Sequence, residues 1–350
     1  MIFSKKLISW YLQNKRTMPW RETTDPYRIW LSEIILQQTR VAQGLPYYMS
    51  FIDTYPTVFD LANAEEEQVL KLWQGLGYYS RARNLHATAR YVANDLKGVF
   101  PVTYKELLTL KGVGDYTASA IASICYNEAV PVVDGNVYRV LSRYFNIATP
   151  INSTEGIKNF KKLAIELIDH KDPATHNQAI MEFGALQCKP QSPYCIICPL
   201  NESCEGLKKG KVSVLPVKLK KQKIKKRYFN YLIFFIDTRT TIIRQRAGKG
   251  IWQNLYEFPL VEANSEVDMN YIENSDIFKD IIGDVKYEIT LYEEPFIIHK
   301  LSHQHLYTRF YIINLIKKPN KIEGHTLVET KKIKEYPVPI LIGNFIDRVF

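Results

Sequence analysis

Four cysteines, Cys188, Cys195, Cys198 and Cys204, fall within 17 residues of a 350-residue chain, spaced C-x6-C-x2-C-x5-C. A loop that gathers four thiols so closely can close around a metal centre, whereas a secreted disulfide framework would spread its cysteines along the chain. Four thiolates bind either zinc or an iron–sulfur cube. A zinc ribbon normally has two C-x-x-C knuckles, and only Cys195 and Cys198 form one. The fifth cysteine, Cys125, stands in an apolar stretch and reads as a buried thiol.

The cysteines also mark a change of texture. Ahead of them the chain punctuates as helices: an Asp25-Pro26 start before YRIWLSEIILQQTRV, then VFDLANAEEEQVLKLW, SRARNLHATARYVANDL, KELLTL, YTASAIASICY and GNVYRVLSRYF. Beyond residue 227 come β-rich runs, RYFNYLIFFID, TIIRQR, VKYEIT and TRFYIINLI, with helical pieces at 269–282 and at the C-terminus. The reading is an all-α domain over residues 1–207, a basic interdomain linker over 208–227, and an α+β domain over 228–350, a size that suits two cores. The linker holds ten basic residues and no acidic ones, which matches the whole formal charge of +10. Such a stretch is equally a self-repelling solvated linker or a phosphate contact. The first residues alternate charge with short apolar pairs, unlike a signal peptide, and no membrane-spanning run follows; a cytoplasmic protein with no membrane partner is expected.

Two motifs carry chemistry. In LKGVGDYTASAI, at 110–121, Gly112 and Gly114 offer positive φ and close approach, and the next helix presents free amides to an anion. Such a hairpin holds phosphate without reading sequence. Twenty residues past Gly114, VVDGNVYRV places Asp134 ahead of a new helix, where an N-cap carboxylate accepts backbone N–H bonds that favour its ionised form.

Hairpin and aspartate together resemble the helix-hairpin-helix DNA glycosylases, and the resemblance makes Asp134 the catalytic aspartate. Members that also cut the strand carry a lysine two residues after the second hairpin glycine. Tyr116 stands there, implying base removal without an efficient lyase step. DPYRIWLSEIILQQTRV resembles the adenine DNA glycosylase (MutY) signature. Glu33 in it has Ile29 and Trp30 one turn before and Leu36 and Gln37 one turn after, an apolar setting that opposes ionisation.

By this resemblance Glu33 is the general acid and Asp134 the support for the sugar cation, with Tyr116 and Asn136 as orienters. Trp20, Arg21, Leu36 and Glu182 match the adenine pocket. Gln37, Gln38 and Tyr78 match residues that fill the gap left by the flipped base, and Gly112, Gly114 and Thr117 form the hairpin's DNA contact. The four cysteines match a 4Fe-4S loop, in which Lys189 faces phosphate. The second domain resembles the Nudix fold through RQRAGKGIWQNLYEFP, yet residues 258–285 lack arginine and paired glutamates, so it is not expected to hydrolyse pyrophosphates. Leu301, Ser302 and His303 stand at the family's Phe-Ser-His loop, with Ser302 and His303 keeping its hydrogen-bonding capacity for 8-oxoguanine and Leu301 departing from the aromatic.

The expected protein is a nucleoid-associated monomer that removes adenine opposite 8-oxoguanine or guanine in double-stranded DNA. An endonuclease III-like glycosylase/lyase for oxidised pyrimidines, a catalytically silent DNA-binding clamp and a Nudix hydrolase are the alternatives. Tyr116, the pairing of Glu33 with Asp134, and the missing metal-binding run argue against them in that order.

Overall fold

The computed structural model describes residues 2–219, 224–293, 295–319 and 323–350. Its contacts divide into two compact units, one of residues up to 63 together with 84–220, the other of 64–83 together with 221–350. The division differs from the sequence reading in two respects: a stretch of 20 residues inside the helical half belongs with the C-terminal half, and the basic stretch read as a linker is divided between the two units. No helix among the described residues is long and apolar enough to cross a membrane.

The helices of the first unit are α1 (Ile2–Asn14), α2 (Pro26–Leu36), α3 (Val41–Thr54), α4 (Val58–Asn63), most of α6 (Ser80–Asn94), α7 (Tyr104–Leu107), α8 (Asp115–Tyr126), α9 (Gly135–Tyr144), α10 (Thr154–Leu167), α11 (Pro173–Leu186) and α12 (Glu205–Lys208); α5 (Glu66–Leu72) falls in the second unit. Side-chain caps start many of them. Asp25 accepts from Tyr27 N, Thr103 from Glu106 N, Ser153 from Gly156 N and Asp172 from Thr175 N. Each satisfies an amide left without a partner in the first turn. One core joins Phe3, Leu7 and Tyr11 of α1 to Val137, Val140 and Leu141 of α9, Phe160 and Ala164 of α10, and Ile180 and Phe183 of α11. Residues spaced three and four apart on each helix make the apolar stripes that meet there.

Two sequence-predicted helices are interrupted. The segment from Tyr27 stops at Leu36, and α3 begins only at Val41. Between them the chain turns through Gln38 at φ 54°. The 58–73 segment breaks after Asn63, and Glu65 restarts it through a capping box with Gln68. Local capping overrides continuous apolar periodicity there.

The second unit is built on an eight-stranded sheet. Its strands are β1 (Lys225–Ile236), β2 (Thr240–Gln245), β3 (Tyr256–Glu257), β4 (Leu260–Ala263), β5 (Tyr287–Leu291), β6 (Ile297–Lys300), β7 (Gln304–Leu315) and β8 (Thr326–Glu329). β1 and β7 run parallel in register from Lys225↔Gln304 to Ile236↔Leu315. Alternation sends Leu232, Phe234 and Ile313 to one face, where Phe278, Ile281 and Ile282 of α14 (Asp276–Ile282) cover them, preceded by the short α13 (Met269–Glu273). On the opposite face Phe310 stacks on Phe345 of α15 (Ile340–Val349) at 4.0 Å between centroids. Both faces are thus covered by helix.

Part of the basic stretch at 208–227 is laid onto the helical unit and is no free linker. Arg143 Nε donates to Leu215 O at 3.1 Å, Ile151 N to Val217 O at 3.0 Å, and Leu219 N to Asn152 Oδ1 at 2.8 Å. Lys225, Lys226 and Arg227 already belong to β1. Lys220, Lys221 and Lys223 lie outside the described residues.

Candidate active site

α2 is buried on nearly every face, and it buries a carboxylate along with its apolar residues. Glu33 shares its helix with buried Ile29, Trp30, Ile34 and Ile35 and is itself only 7% exposed. Burial lifts its carboxyl from the usual 4.5 to about 7, aided by the nearby Asp134 charge; a hydrogen bond from Tyr116 and the Arg21 charge pull the other way without prevailing. A substantial fraction of Glu33 is therefore protonated near neutrality.

Glu33 opens onto one pocket. Leu36, Gln37 and Gln38 from the end of α2, Gly114 to Thr117 from the hairpin, and Asp134, Gly135 and Asn136 from the start of α9 line the same space. Asp134 caps α9: its Oδ1 accepts from Asn136 N and Val137 N, each at 2.8 Å, and its Oδ2 from Asn136 Nδ2 at 2.7 Å. These donors favour the anion, but burial outweighs them and holds the carboxyl above its usual range. The capping bonds read from the sequence are present; their dominance over desolvation is not. Tyr116 lines the same pocket, its hydroxyl held well above its usual value by burial and then by the Glu33 and Asp134 charges. Its hydroxyl also reaches Met181 Sδ at 3.3 Å.

The hairpin's two glycines differ. Gly112 takes φ 80°, and a Cβ there would come within 2.8 Å of Asn84 Cβ. Gly114 is extended, at φ −97°, and a Cβ on it would meet nothing within 4 Å. The expectation of positive φ holds for Gly112 and is corrected for Gly114, whose open side instead leaves room for a molecule outside the chain. Thr117 is buried and accepts from Gln37 Nε2 at 3.1 Å, so α2 and the hairpin are tied at the pocket rim.

Behind the pocket, Glu182 on α11 receives Arg16 (Nη2–Oε2, 2.7 Å) and Arg21 (Nη2–Oε2, 2.9 Å). Burial alone would raise its carboxyl, but the hydrogen bonds from Arg16 and then Arg21 bring it down to about 2. Trp20 is buried edge-on to Tyr48 at 5.1 Å. Of the four residues matched to an adenine pocket, Leu36 lines the cavity, while Arg21 reaches Glu33 and Tyr116 through its charge. Arg16 escaped the sequence reading, since nothing local pairs it with a residue 166 positions away. Arg139 escaped too: it donates to Asn136 Oδ1 at 2.8 Å, Gly184 O at 2.6 Å and Cys188 O at 2.8 Å, and its place one turn after Asn136 on α9 was an available signal.

All four clustered cysteines line a second cavity with Val140, Arg143 and Phe183. Arg143 pins the loop, donating to Lys189 O at 2.7 Å and Pro190 O at 3.0 Å, with Cys188 Sγ 3.5 Å away. The Lys189 ammonium lies 3.9 Å over the Tyr194 ring. Cys125, by contrast, is only partly buried, its thiol pushed up to about 12 by burial.

In the second unit, Tyr78 and Ser302 share a 2.6 Å hydroxyl–hydroxyl hydrogen bond. Tyr78 sits at φ 49° and is largely exposed. Ser302 and His303 form the exposed turn between β6 and β7, and His303 O accepts from Lys225 N at 3.1 Å. Glu257, wholly buried, is engaged by Arg244 at 3.1 Å and Arg246 at 2.6 Å.

Residues 31–165 match the HhH-GPD superfamily of base excision DNA repair proteins, and residues 230–348 match the NUDIX domain. The adenine DNA glycosylase of Buchnera aphidicola subsp. Baizongia pistaciae is 34% identical over 315 residues, covering 86% of this chain and 88% of that protein. The chain belongs to the adenine DNA glycosylase family. A second relative of that name, from Buchnera aphidicola subsp. Schizaphis graminum, is 34% identical over 74% of each chain. Among solved structures, a thermostable thymine-DNA glycosylase superposes with TM-score 0.55 at 30% identity, covering 59% of this chain and 96% of that one.

Family membership makes the cysteine cavity a cofactor question. Among the described residues no three His, Cys, Asp or Glu side chains close around a single ion. The four thiols line one cavity with apolar walls, a donor set that would suit an iron–sulfur cube or a tetrahedral zinc. Burial raises the Cys195, Cys198 and Cys204 thiols, and their mutual proximity adds to it, an effect that cationic iron would reverse.

Proposed function

We propose that this adenine DNA glycosylase family member hydrolyses the N-glycosidic bond of adenine opposite 8-oxoguanine or guanine in duplex DNA, as a monomer and without a strand-cutting step. The observation that carries the reading is one pocket holding Glu33, Tyr116 and Asp134 with unlike surroundings for its two carboxyls. The bond to the sugar breaks with its electron pair going to the base, and adenine leaves poorly as an anion. Glu33 supplies a proton to a ring nitrogen as that pair arrives. The sugar carbon becomes cationic and its positive charge favours the ionised form of Asp134, whose three donors are already in place. Water then adds to that carbon and loses a proton, which restores the Glu33 carboxyl.

Tyr116 has one hydroxyl proton and two neighbours, Glu33 and Met181. While Glu33 is protonated the tyrosine is free to donate to sulfur, and once Glu33 has given up its proton the hydroxyl turns to the new carboxylate. Gln37, Gln38 and Thr117 at the rim and the Gly112–Gly114 hairpin hold the opened duplex. Tyr78 with Ser302 and His303 reads the opposite base. Cys188, Cys195, Cys198 and Cys204 hold a 4Fe-4S cluster, which supplies a rigid loop carrying Lys189 for phosphate. The protein acts on the chromosome in the cytoplasm.

Single-turnover adenine release, measured opposite 8-oxoguanine and opposite guanine, tests the reading. Wild type releases adenine, and Glu33→Gln and Asp134→Asn each slow release by roughly 10²–10⁴-fold. A wild type that binds both duplexes and releases nothing ends it.

A further inference from the structure

Asp115 is misplaced for a protein that must hold a phosphodiester. It is the first residue of α8, directly after Gly114, and it lines the active-site pocket. A carboxylate in a helix's first turn favours the helix, but it also occupies the positive end that would otherwise attract an anion, and it repels one. The chain surrounds it with compensating groups from two other elements. Lys161 of α10 places its ammonium 3.0 Å from Asp115 Oδ1 and 3.1 Å from Oδ2, and Tyr104 of α7 donates its hydroxyl to Oδ1 at 2.5 Å. The same ammonium donates to Ser119 Oγ at 3.2 Å and to Pro131 O at 2.8 Å, three residues before Asp134. It also lies 5.6 Å over the Tyr104 ring. With three N–H groups and three acceptors, Lys161 is fully committed inside the protein.

We propose that Lys161 is a positioning residue for DNA binding: it neutralises Asp115 at the mouth of the pocket and holds it aside, so that the hairpin presents amides and no net negative charge to the backbone of the substrate. Lys161 touches no substrate; it acts through Asp115. Burial, and then the hydrogen bond to Asp115, keep the Tyr104 hydroxyl at about 12, so it stays a donor throughout the working pH range. The inference rests on the DNA-binding part of the function proposed above and not on which base is excised.

The test is a binding cycle on the full-length protein with a duplex containing adenine opposite 8-oxoguanine. Lys161→Met leaves Asp115 uncompensated and weakens binding about tenfold at low salt, less at high salt. Asp115→Asn added to Lys161→Met restores binding to within about twofold of wild type, because the repelling charge is gone. Lys161→Arg keeps most of the affinity, and thermal melting of each variant establishes that it is folded. A lysine that contacts phosphate itself, or serves only as a bolt between helices, would leave the double variant as weak as Lys161→Met; that result, or unchanged binding by Lys161→Met, overturns the proposal. Adenine release is scored separately, so a wild type that binds with this pattern and releases no adenine refutes the glycosylase reading and leaves the Lys161 inference standing.

Discussion

Glu33 shows what a buried carboxyl costs in stability. Its carboxyl ionises near 4.5 in an unfolded chain and near 7 when folded, so below pH 4.5 it is neutral in both states. As pH rises from 4.5 to 7 the unfolded state gains charge and the folded state does not, so stability falls; above 7 the loss is constant. The shift corresponds to at most about 3 kcal/mol. Glu33→Gln is therefore expected to melt higher than wild type at pH 8, by about 1–3 kcal/mol in unfolding free energy, and to match it at pH 4; a stability difference independent of pH would argue against the buried acid. The catalytic counterpart has the same origin. In the proposed mechanism only protonated Glu33 donates, so single-turnover adenine release by the wild type is expected to decline as pH rises through about 7.

The elements matter where their backbones touch. α11 meets the first turn of α9 at Gly184, and a Cβ there would lie 2.7 Å from Asn136 Cβ and 2.9 Å from Asn136 O. Asn136 in turn donates to Asp134, and Arg139 ties Asn136 to Gly184 O and Cys188 O. A methyl group at 184 must push the two helices apart or displace Asn136. Gly184→Ala should cost about 1–3 kcal/mol in denaturant unfolding and slow adenine release well beyond any effect on duplex binding. Equal losses of binding and release would mean that the contact merely supports the fold. Gly206 plays a similar part for the cysteine loop, since a Cβ there would fall 2.3 Å from Arg143 O, the residue that pins that loop.

At the scale of the whole molecule, residues 64–83 belong with 221–350 through long-range bonds: Asn254 Nδ2 to Glu66 Oε1 at 2.6 Å, Tyr256 Oη to Glu67 Oε2 at 3.3 Å, and Tyr78 to Ser302. A chain ending at Leu219 would lose all of these partners. Limited proteolysis should then cut it within 64–83, a segment protected in the full chain, and protection surviving the truncation would contradict this account of the second unit. The limits of sequence reading fall along the same line. Helices, β-rich half and cysteine loop were legible because caps, periodicity and motif spacing act over a few residues, whereas Glu33 and Asp134 were singled out through the family resemblance. The short strands β3, β4, β6 and β8 carried too little pattern to be seen, and their existence depends on partners far along the chain. Only the tertiary structure decided that Glu33 is desolvated, that burial beats the capping bonds at Asp134, that Arg16 shares Glu182 with Arg21, and that Lys161 answers Asp115. Each of these is a balance between desolvation and charges brought together from distant positions, and local sequence contains neither term.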